Sequence, residues 1–252
     1  MTTLTTTEIT EKYRNAKNRL ILLDYDGTLV DFTPFPDTSI IPRHISDILT
    51  KLLETPQTEV VIITGRNYKG IDKILGHLPV NIISEHGAMI KKNGIWENKA
   101  SDNTLWKDTI IPILNQFTLS CPKSFVEEKV YSAAWHYRNA ESQSGFEHSR
   151  ELISTLGGIA HSLNLKILDG KKVVEIIPGE IGKGNAVKKL SGKNNFDFIL
   201  SVGDDTTDEE MFEYLFNNAN AFTVKVGNGD TLARYKLDGI NDVLSLLKDL
   251  TT

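Results

Sequence analysis

Residues 20–23, Leu-Ile-Leu-Leu, form a short run with no polar member that stops abruptly at Asp24. A strand so uniformly apolar must be covered on both faces, as in a parallel sheet with helices on either side. The first third of the chain keeps that rhythm. Ile45, Ile48, Leu49, Leu52 and Leu53 recur at helical spacing after Pro42, a residue suited to a first helical turn. Residues 60–63 are the next apolar run, ending in Thr64-Gly65-Arg66, and Ile71, Ile74 and Leu75 predict another helix before a strand at 80–83. Alternation returns at the other end, with helices over 183–190, 208–216 and 243–250 and strands over 198–202 and 221–226. This order predicts an α/β fold built on a doubly wound parallel sheet.

Between the two halves the period changes. Residues 125–129, 133–138, 165–168 and 173–177 alternate polar with apolar side chains, the pattern of strands covered on one face only. Helical stretches at 105–117 and 147–163 separate them. Residues 93–179 are therefore expected to form an inserted α+β lobe, leaving 1–92 and 180–252 to the core. A chain of 252 residues with 40% hydrophobic content is long enough for both.

Bulk charge narrows the partners. With 28 basic and 33 acidic residues the formal charge is -5, which gives no broad positive surface for nucleic acid or an anionic membrane. No segment approaches the roughly 18–20 apolar residues of a membrane helix, and the first twenty residues lack the pattern of a secretory signal. Cys121 is the only cysteine, so neither an intramolecular disulfide nor a cysteine-based zinc site can be assembled. A soluble protein in a reducing, cytoplasmic setting is expected.

Asp24-Tyr25-Asp26-Gly27-Thr28 places two carboxylates at i and i+2 just past a buried strand, so in extended geometry both point the same way. Ligands of open parallel sheets bind beyond the carboxyl ends of the strands, where this pair would sit. One carboxylate can attack phosphorus while the other serves as acid and then base. In isolation such a pair reads equally well as a strand-ending turn. Complementary groups follow other strands and open a helix: the Thr64 hydroxyl, Lys183, and the acidic run Gly203-Asp204-Asp205-Thr206-Thr207-Asp208-Glu209. A dianionic phosphate would repel Asp24 unless cations stood between them, so a hard cation held by Asp24 and Asp204, with Lys183 alongside, makes attack feasible.

In this order DYDGT, Thr64, Lys183 and GDDTTD resemble the four motifs of the haloacid dehalogenase superfamily. The resemblance implies Asp24 as nucleophile, Asp26 as general acid/base, and Thr64 and Lys183 as anchors for phosphate and charge. It also implies Mg²⁺ held by Asp24, Asp26 and Asp204, the backbone carbonyl of Asp26 serving as one ligand, with Asp205 and Asp208 supporting that set from behind.

The inserted lobe carries its own polar pattern. Glu127 with Lys129, and His136 with Arg138, share strand faces, and a tight turn near Tyr131 would set Glu127 across from His136; Lys171 and Glu175 would project together from a third strand. Such a surface suits a hydroxyl-rich molecule, or else is a solvated face with cross-strand ion pairs. The segments EEKVYSAAWHYR, GKKVVEIIP and GDDTTDEEMF, with TGR and SEHG before them, resemble trehalose-6-phosphate phosphatases, whose lobe is an α/β cap. That resemblance implies that Glu127, Lys129, His136, Arg138, Lys171 and Glu175 hold the disaccharide phosphate, with Arg66 also among the substrate-binding residues. It implies a sugar-phosphate substrate made by a trehalose-phosphate synthase on a separate chain. Alternatives are a phosphatase for sucrose phosphate or a glucosylglycerol-type phosphate, a phosphomutase, or a catalytically silent sugar-phosphate sensor. Gly179 to Gly184 lacks P-loop spacing, Trp96, Trp106 and Trp135 read as packing residues, and His86 is left open between a structural role and a place near the cleft.

Overall fold

In the computed structural model, which describes residues 6–32, 41–100, 104–192 and 195–251, the chain begins with α1 (Thr6–Asn15), β1 (Arg19–Leu23), α2 (Arg43–Glu54), β2 (Thr58–Ile63), α3 (Tyr68–Leu75) and β3 (Asn81–Ser84). The hairpin β4 (Met89–Lys92) and β5 (Ile95–Asn98) follows. Next come α4 (Lys107–Ser120), β6 (Phe125–Glu128), β7 (Ala133–His136), α5 (Ser142–Ser162), β8 (Leu165–Gly170) and β9 (Val173–Pro178). The last stretch is α6 (Lys183–Ser191), β10 (Phe198–Gly203), α7 (Thr206–Leu215), β11 (Ala221–Val226), β12 (Tyr235–Leu237) and α8 (Ile240–Asp249). Contacts group these elements into two units, Met1–Asn98 with Gly182–Thr252, and Lys99–Ile181.

The first unit is an eight-stranded sheet in the order β12-β11-β10-β1-β2-β3-β4-β5. Its strands are parallel from β12 to β3, and β4 and β5 are antiparallel. Alternate side chains of the central strands serve opposite faces. Ile21, Leu23, Val60 and Ile62 pack with Ile9 and Tyr13 of α1, Ile45 and Leu49 of α2, Ile71 of α3 and Val243 and Leu247 of α8. Leu20, Leu22, Val61 and Ile63 pack with Val187 of α6 and Met211, Phe212 and Leu215 of α7. The expected α/β class with a doubly wound parallel sheet is therefore what the chain forms.

One boundary moves. β5 pairs with β4 inside this sheet, so the first unit runs to Asn98 rather than stopping at residue 92, and it resumes at Gly182 rather than 180. The sheet edge needs little burial, so Ile95-Trp96-Glu97-Asn98 shows no apolar alternation that would assign it to the sheet.

The second unit is a four-stranded antiparallel sheet in the order β6-β7-β9-β8. One face packs on α4 and α5: Ala133, Trp135, Val174 and Ile176 meet Ile110, Leu114, Leu152 and Leu156. Trp106 and Trp135 belong to this cluster as packing residues. Among the described residues no helix is long and apolar enough to cross a membrane.

Candidate active site

β1 lies between β10 and β2, with Leu23 beside Val202 on one side and Ile62 on the other. The strand order reverses here, since the chain moves from β1 to β2 and β3 in one direction and later from β10 to β11 in the other. A crevice at the carboxyl ends of such strands is the usual ligand site of an open parallel sheet. Asp24, Thr64 and Asp204 each stand just past one of these three ends. The Asp24 N–H donates to the Val202 carbonyl at 3.0 Å, continuing the ladder one residue beyond β1 and so fixing where its carboxylate begins.

Lys183, the first residue of α6, links two of the acids. Its Nζ donates to Asp24 Oδ1 at 2.7 Å and to Asp208 Oδ1 at 2.8 Å, with all three side chains buried. The other oxygen of Asp208 accepts the backbone N–H groups of Asp204 and Asp205, each at 3.0 Å. Asp205 caps α7 through its own side chain, so Asp208 closes a capping box while holding the lysine. Gly203 makes room for this, since a Cβ there would stand 2.2 Å from the Asp208 carboxyl carbon. Gly27, at φ 83°, does the same for Asp204, whose Oδ2 would lie 2.3 Å from an added Cβ.

Asp24, Asp204 and Asp208 have carboxylate oxygens all within 4.8 Å of one another. With Lys183, these four groups sum to a charge of about -2, buried where water screens little. Burial pushes the Asp24 carboxyl well above the usual carboxylate range; Lys183 opposes that, and Asp208 and Asp204 add to it. Burial alone would depress Lys183, but Asp208 and Asp24 outweigh it and raise the lysine, so the ammonium stays charged. A hard divalent cation answers the remaining charge, and an all-oxygen donor set is the kind that magnesium accepts. Both oxygens of Asp208 already accept hydrogen bonds, which makes Asp24 and Asp204 the better placed carboxylates to face such an ion.

Asp26 faces elsewhere. Its two oxygens receive Arg66 Nε and Nη2, each at 2.7 Å, in a bidentate pair, and the guanidinium lies over the Tyr25 ring. Its carboxylate is not part of the acidic cluster, so the metal role expected of it rests on its backbone carbonyl. Arg66, expected to bind substrate, is engaged by Asp26, and the Arg66 N–H donates to Thr64 Oγ1 at 3.1 Å. Behind this loop Glu85 and His86 both take left-handed backbone conformations, at φ 46° and 56°. The Glu85 N–H donates to the Arg66 carbonyl at 3.0 Å and that of His86 to the Thr64 carbonyl at 3.1 Å. A Cβ on Gly87 would lie 3.3 Å from the Gly182 carbonyl, so the same turn abuts the start of the lysine helix. His86 thus buttresses the Thr64 loop, a role its position in the sequence did not reveal.

In the second unit, Glu127, His136 and Glu175 occupy the sheet face opposite α4 and α5. The register corrects one expectation: Glu127 is opposite Ala134, and His136 is opposite Phe125. The connection is centred on Val130 and Tyr131, closed by the Lys129 N–H to the Ser132 carbonyl, one residue earlier than a turn that would align Glu127 with His136. Glu127 still reaches His136 diagonally, Oε2 to Nε2 at 2.9 Å. Burial would raise the Glu127 carboxyl, but the His136 hydrogen bond and the Lys129 charge hold it below the usual range. Lys129 and Ser132 both donate to Glu175 Oε1, at 2.8 and 2.6 Å. Lys171 lies in the β8–β9 turn rather than in a strand with Glu175, because β9 begins at Val173, and its carbonyl accepts a hydrogen bond from exposed Arg138. Buried Lys107 at the start of α4 donates to the carbonyls of Lys129 and Val130, clamping the turn; nothing in its local sequence signals that role.

The family profile described as trehalose-phosphatase matches residues 22–241. The chain is 39% identical over 251 residues to alpha,alpha-trehalose-phosphate synthase [UDP-forming] B of Dictyostelium discoideum, covering 97% of this chain and 32% of that protein. It is 38% identical to the bifunctional trehalose-6-phosphate synthase/phosphatase of Thermoproteus tenax, covering 99% of this chain and 34% of that protein. The chain therefore spans about a third of the length of these curated relatives. The C-terminal domain of the C. albicans trehalose-6-phosphate phosphatase superposes with a TM-score of 0.94 at 28% identity, covering 99% of this chain and 97% of that one. A haloacid dehalogenase-like hydrolase from B. subtilis, with a TM-score of 0.64 at 16% identity over 91% of this chain and 98% of that one, shares the fold.

Proposed function

Because the chain belongs to the trehalose-phosphatase family, we propose that it hydrolyses trehalose 6-phosphate to trehalose and phosphate through an aspartyl-phosphate on Asp24, a step of trehalose biosynthesis. The observation that carries this reading is the buried bridge from Asp24 through Lys183 to Asp208, beside Asp204 at the central strand ends.

In the first step an Asp24 carboxylate oxygen bonds to phosphorus as the bond from phosphorus to the sugar oxygen breaks, and Asp26 supplies the proton that the departing oxygen takes. In the second, Asp26 takes a proton from water as its oxygen attacks the acyl phosphate, which releases phosphate and restores Asp24. Asp26 acts once it leaves its pair with Arg66, and an incoming phosphate dianion competes for that guanidinium. Thr64 and Lys183 anchor the phosphoryl group, and the Lys183 ammonium favours the charged, attacking form of Asp24 against the burial that opposes it. Asp24, Asp204 and the Asp26 carbonyl would hold Mg²⁺, which when bound would supply Lewis-acid neutralisation of phosphoryl charge. Asp205 and Asp208 keep that set in place through the start of α7.

Residues 99–181 act as the specificity domain, with Glu127, Lys129, His136, Arg138, Lys171 and Glu175 engaging the disaccharide. The setting is cytoplasmic, in keeping with a single cysteine, the buried Cys121, which no disulfide can engage within the chain. The substrate comes from a trehalose-phosphate synthase outside these 252 residues. Phosphate release from a panel of trehalose 6-phosphate, sucrose 6-phosphate and glucose 6-phosphate, with Mg²⁺ or EDTA, tests the reading. Mg²⁺-dependent turnover with trehalose 6-phosphate preferred, abolished in Asp24→Asn, is the expected result; preference for another sugar phosphate, or an active Asp24→Asn, overturns it.

A further inference from the structure

β6 carries an aromatic ring on the same face as Glu127. Side chains alternate along a strand, so Phe125 and Glu127 point away from the α4 and α5 side, toward which Val126 packs. Phe125 stands directly opposite His136, and their rings stack with centroids 4.8 Å apart and planes 13° from parallel. The hydrogen bond from His136 to Glu127 anchors the imidazole, so the phenyl ring rests on a fixed support. One face of the phenyl is covered in this way, yet 40% of the residue remains exposed. A large flat apolar group in that position adds little to the core, and it adjoins charged groups suited to hydroxyls.

We propose that Phe125 is a specificity-determining residue: a platform for the apolar face of a pyranose ring, whose hydroxyls Glu127 and His136 engage from the side. A pyranose presents C–H groups on a ring face and hydroxyls around its rim. The C–H hydrogens carry partial positive charge and meet the electron-rich face of the phenyl ring, while the carboxylate accepts hydrogen bonds from the rim. The alternate pairing of an aromatic and a carboxylate on one strand face reproduces that division.

This inference rests on the reading of the substrate as a glycosyl phosphate, so its test includes a measurement independent of turnover. Leucine keeps apolar bulk without a π face, whereas tyrosine and tryptophan keep the face. For Phe125→Leu the expected result is a KM for trehalose 6-phosphate raised about three- to tenfold with kcat unchanged. Turnover of acetyl phosphate, which has no ring, stays unchanged, and Phe125→Tyr or Phe125→Trp restores the KM. Saturation-transfer NMR with unphosphorylated trehalose reads the same contact directly: transfer from aromatic protons to sugar C–H groups in the unsubstituted chain and its loss in Phe125→Leu are expected. A Phe125→Leu variant that matches the unsubstituted chain, losses shared equally with acetyl phosphate, or no transfer to trehalose in the unsubstituted chain would each overturn the platform. If no phosphate is released from trehalose 6-phosphate while ring-dependent transfer to trehalose persists, the substrate reading falls and the platform stands.

Discussion

The crevice of the parallel sheet and the polar face of the antiparallel sheet both pair carboxylates with cations, but they do so under different physical conditions. In the crevice, Asp24, Lys183, Asp204 and Asp208 come from positions up to 184 residues apart in the chain and are 5% exposed or less. On the antiparallel face, Glu127 and His136 lie within ten residues of sequence and their side chains are 27% and 20% exposed, while Lys129 and Ser132 beside them reach Glu175 in a buried cluster. Buried charges tolerate no missing partner, whereas water partly replaces a lost partner at the Glu127–His136 pair. The crevice is therefore constrained as a set, as is the buried Lys129–Glu175 pair, and the Glu127–His136 pair residue by residue.

The largest effect expected from that contrast is in Lys183→Met. Removing it leaves two buried carboxylates facing each other, and a loss of about 3–5 kcal/mol in urea unfolding of the metal-free protein is expected, together with loss of turnover. A loss below about 1 kcal/mol would break the comparison.

Cation binding sharpens it further. Asp24 binds its proton more tightly folded than unfolded, so the contribution of this group to metal-free stability is greatest below its ordinary value of 3.8 and declines as pH climbs toward its raised folded value. Lys183, raised from 10.5, loses nothing in that window. Millimolar Mg²⁺ is therefore expected to raise Tm more at about pH 8 than at about pH 5, and an equal shift at both would count against ligation by Asp24.

Glu127→Ala belongs to the second region. It removes a hydrogen bond between partly exposed groups, so the fold is expected to lose no more than about 1 kcal/mol, while kcat/KM for trehalose 6-phosphate falls about tenfold or more and that for an aryl phosphate stays within about twofold. Equal losses on both substrates would remove the distinction between the regions. Smallest of all is Arg150→Ala, which breaks an exposed pair with Asp169 on the helical side of the second unit; a change below about 1 kcal/mol is expected in the same unfolding assay.

The parts of the fold legible beforehand are those where burial leaves a periodic trace. β1, β2, β10 and β11 are buried on both faces and mostly apolar, and α2 repeats Ile45, Ile48, Leu49 and Leu52 on its buried side. The β4–β5 hairpin leaves no such trace, although Asn93-Gly94, both at positive φ, is a two-residue turn signal that could have placed it. β12 has three half-buried residues and carries no pattern at all. At the crevice, residue types at strand ends announced which groups would meet, and Lys183 joins Asp24 and Asp208 as those types suggest. What the types could not announce is orientation: Asp26 turned to Arg66, Lys107 turned under the Lys129 carbonyl, and His86 placed behind Thr64 by two left-handed residues. These depend on side-chain rotation and tertiary contact, which spacing does not encode.

Asp208 has a consequence of its own. The carboxylate that opens α7 is also the one that holds the lysine, so fraying of that helical turn and loss of the lysine's anchor are one event. Amide exchange at residues 204 and 205 accordingly serves as a substrate-free gauge of whether the crevice is armed.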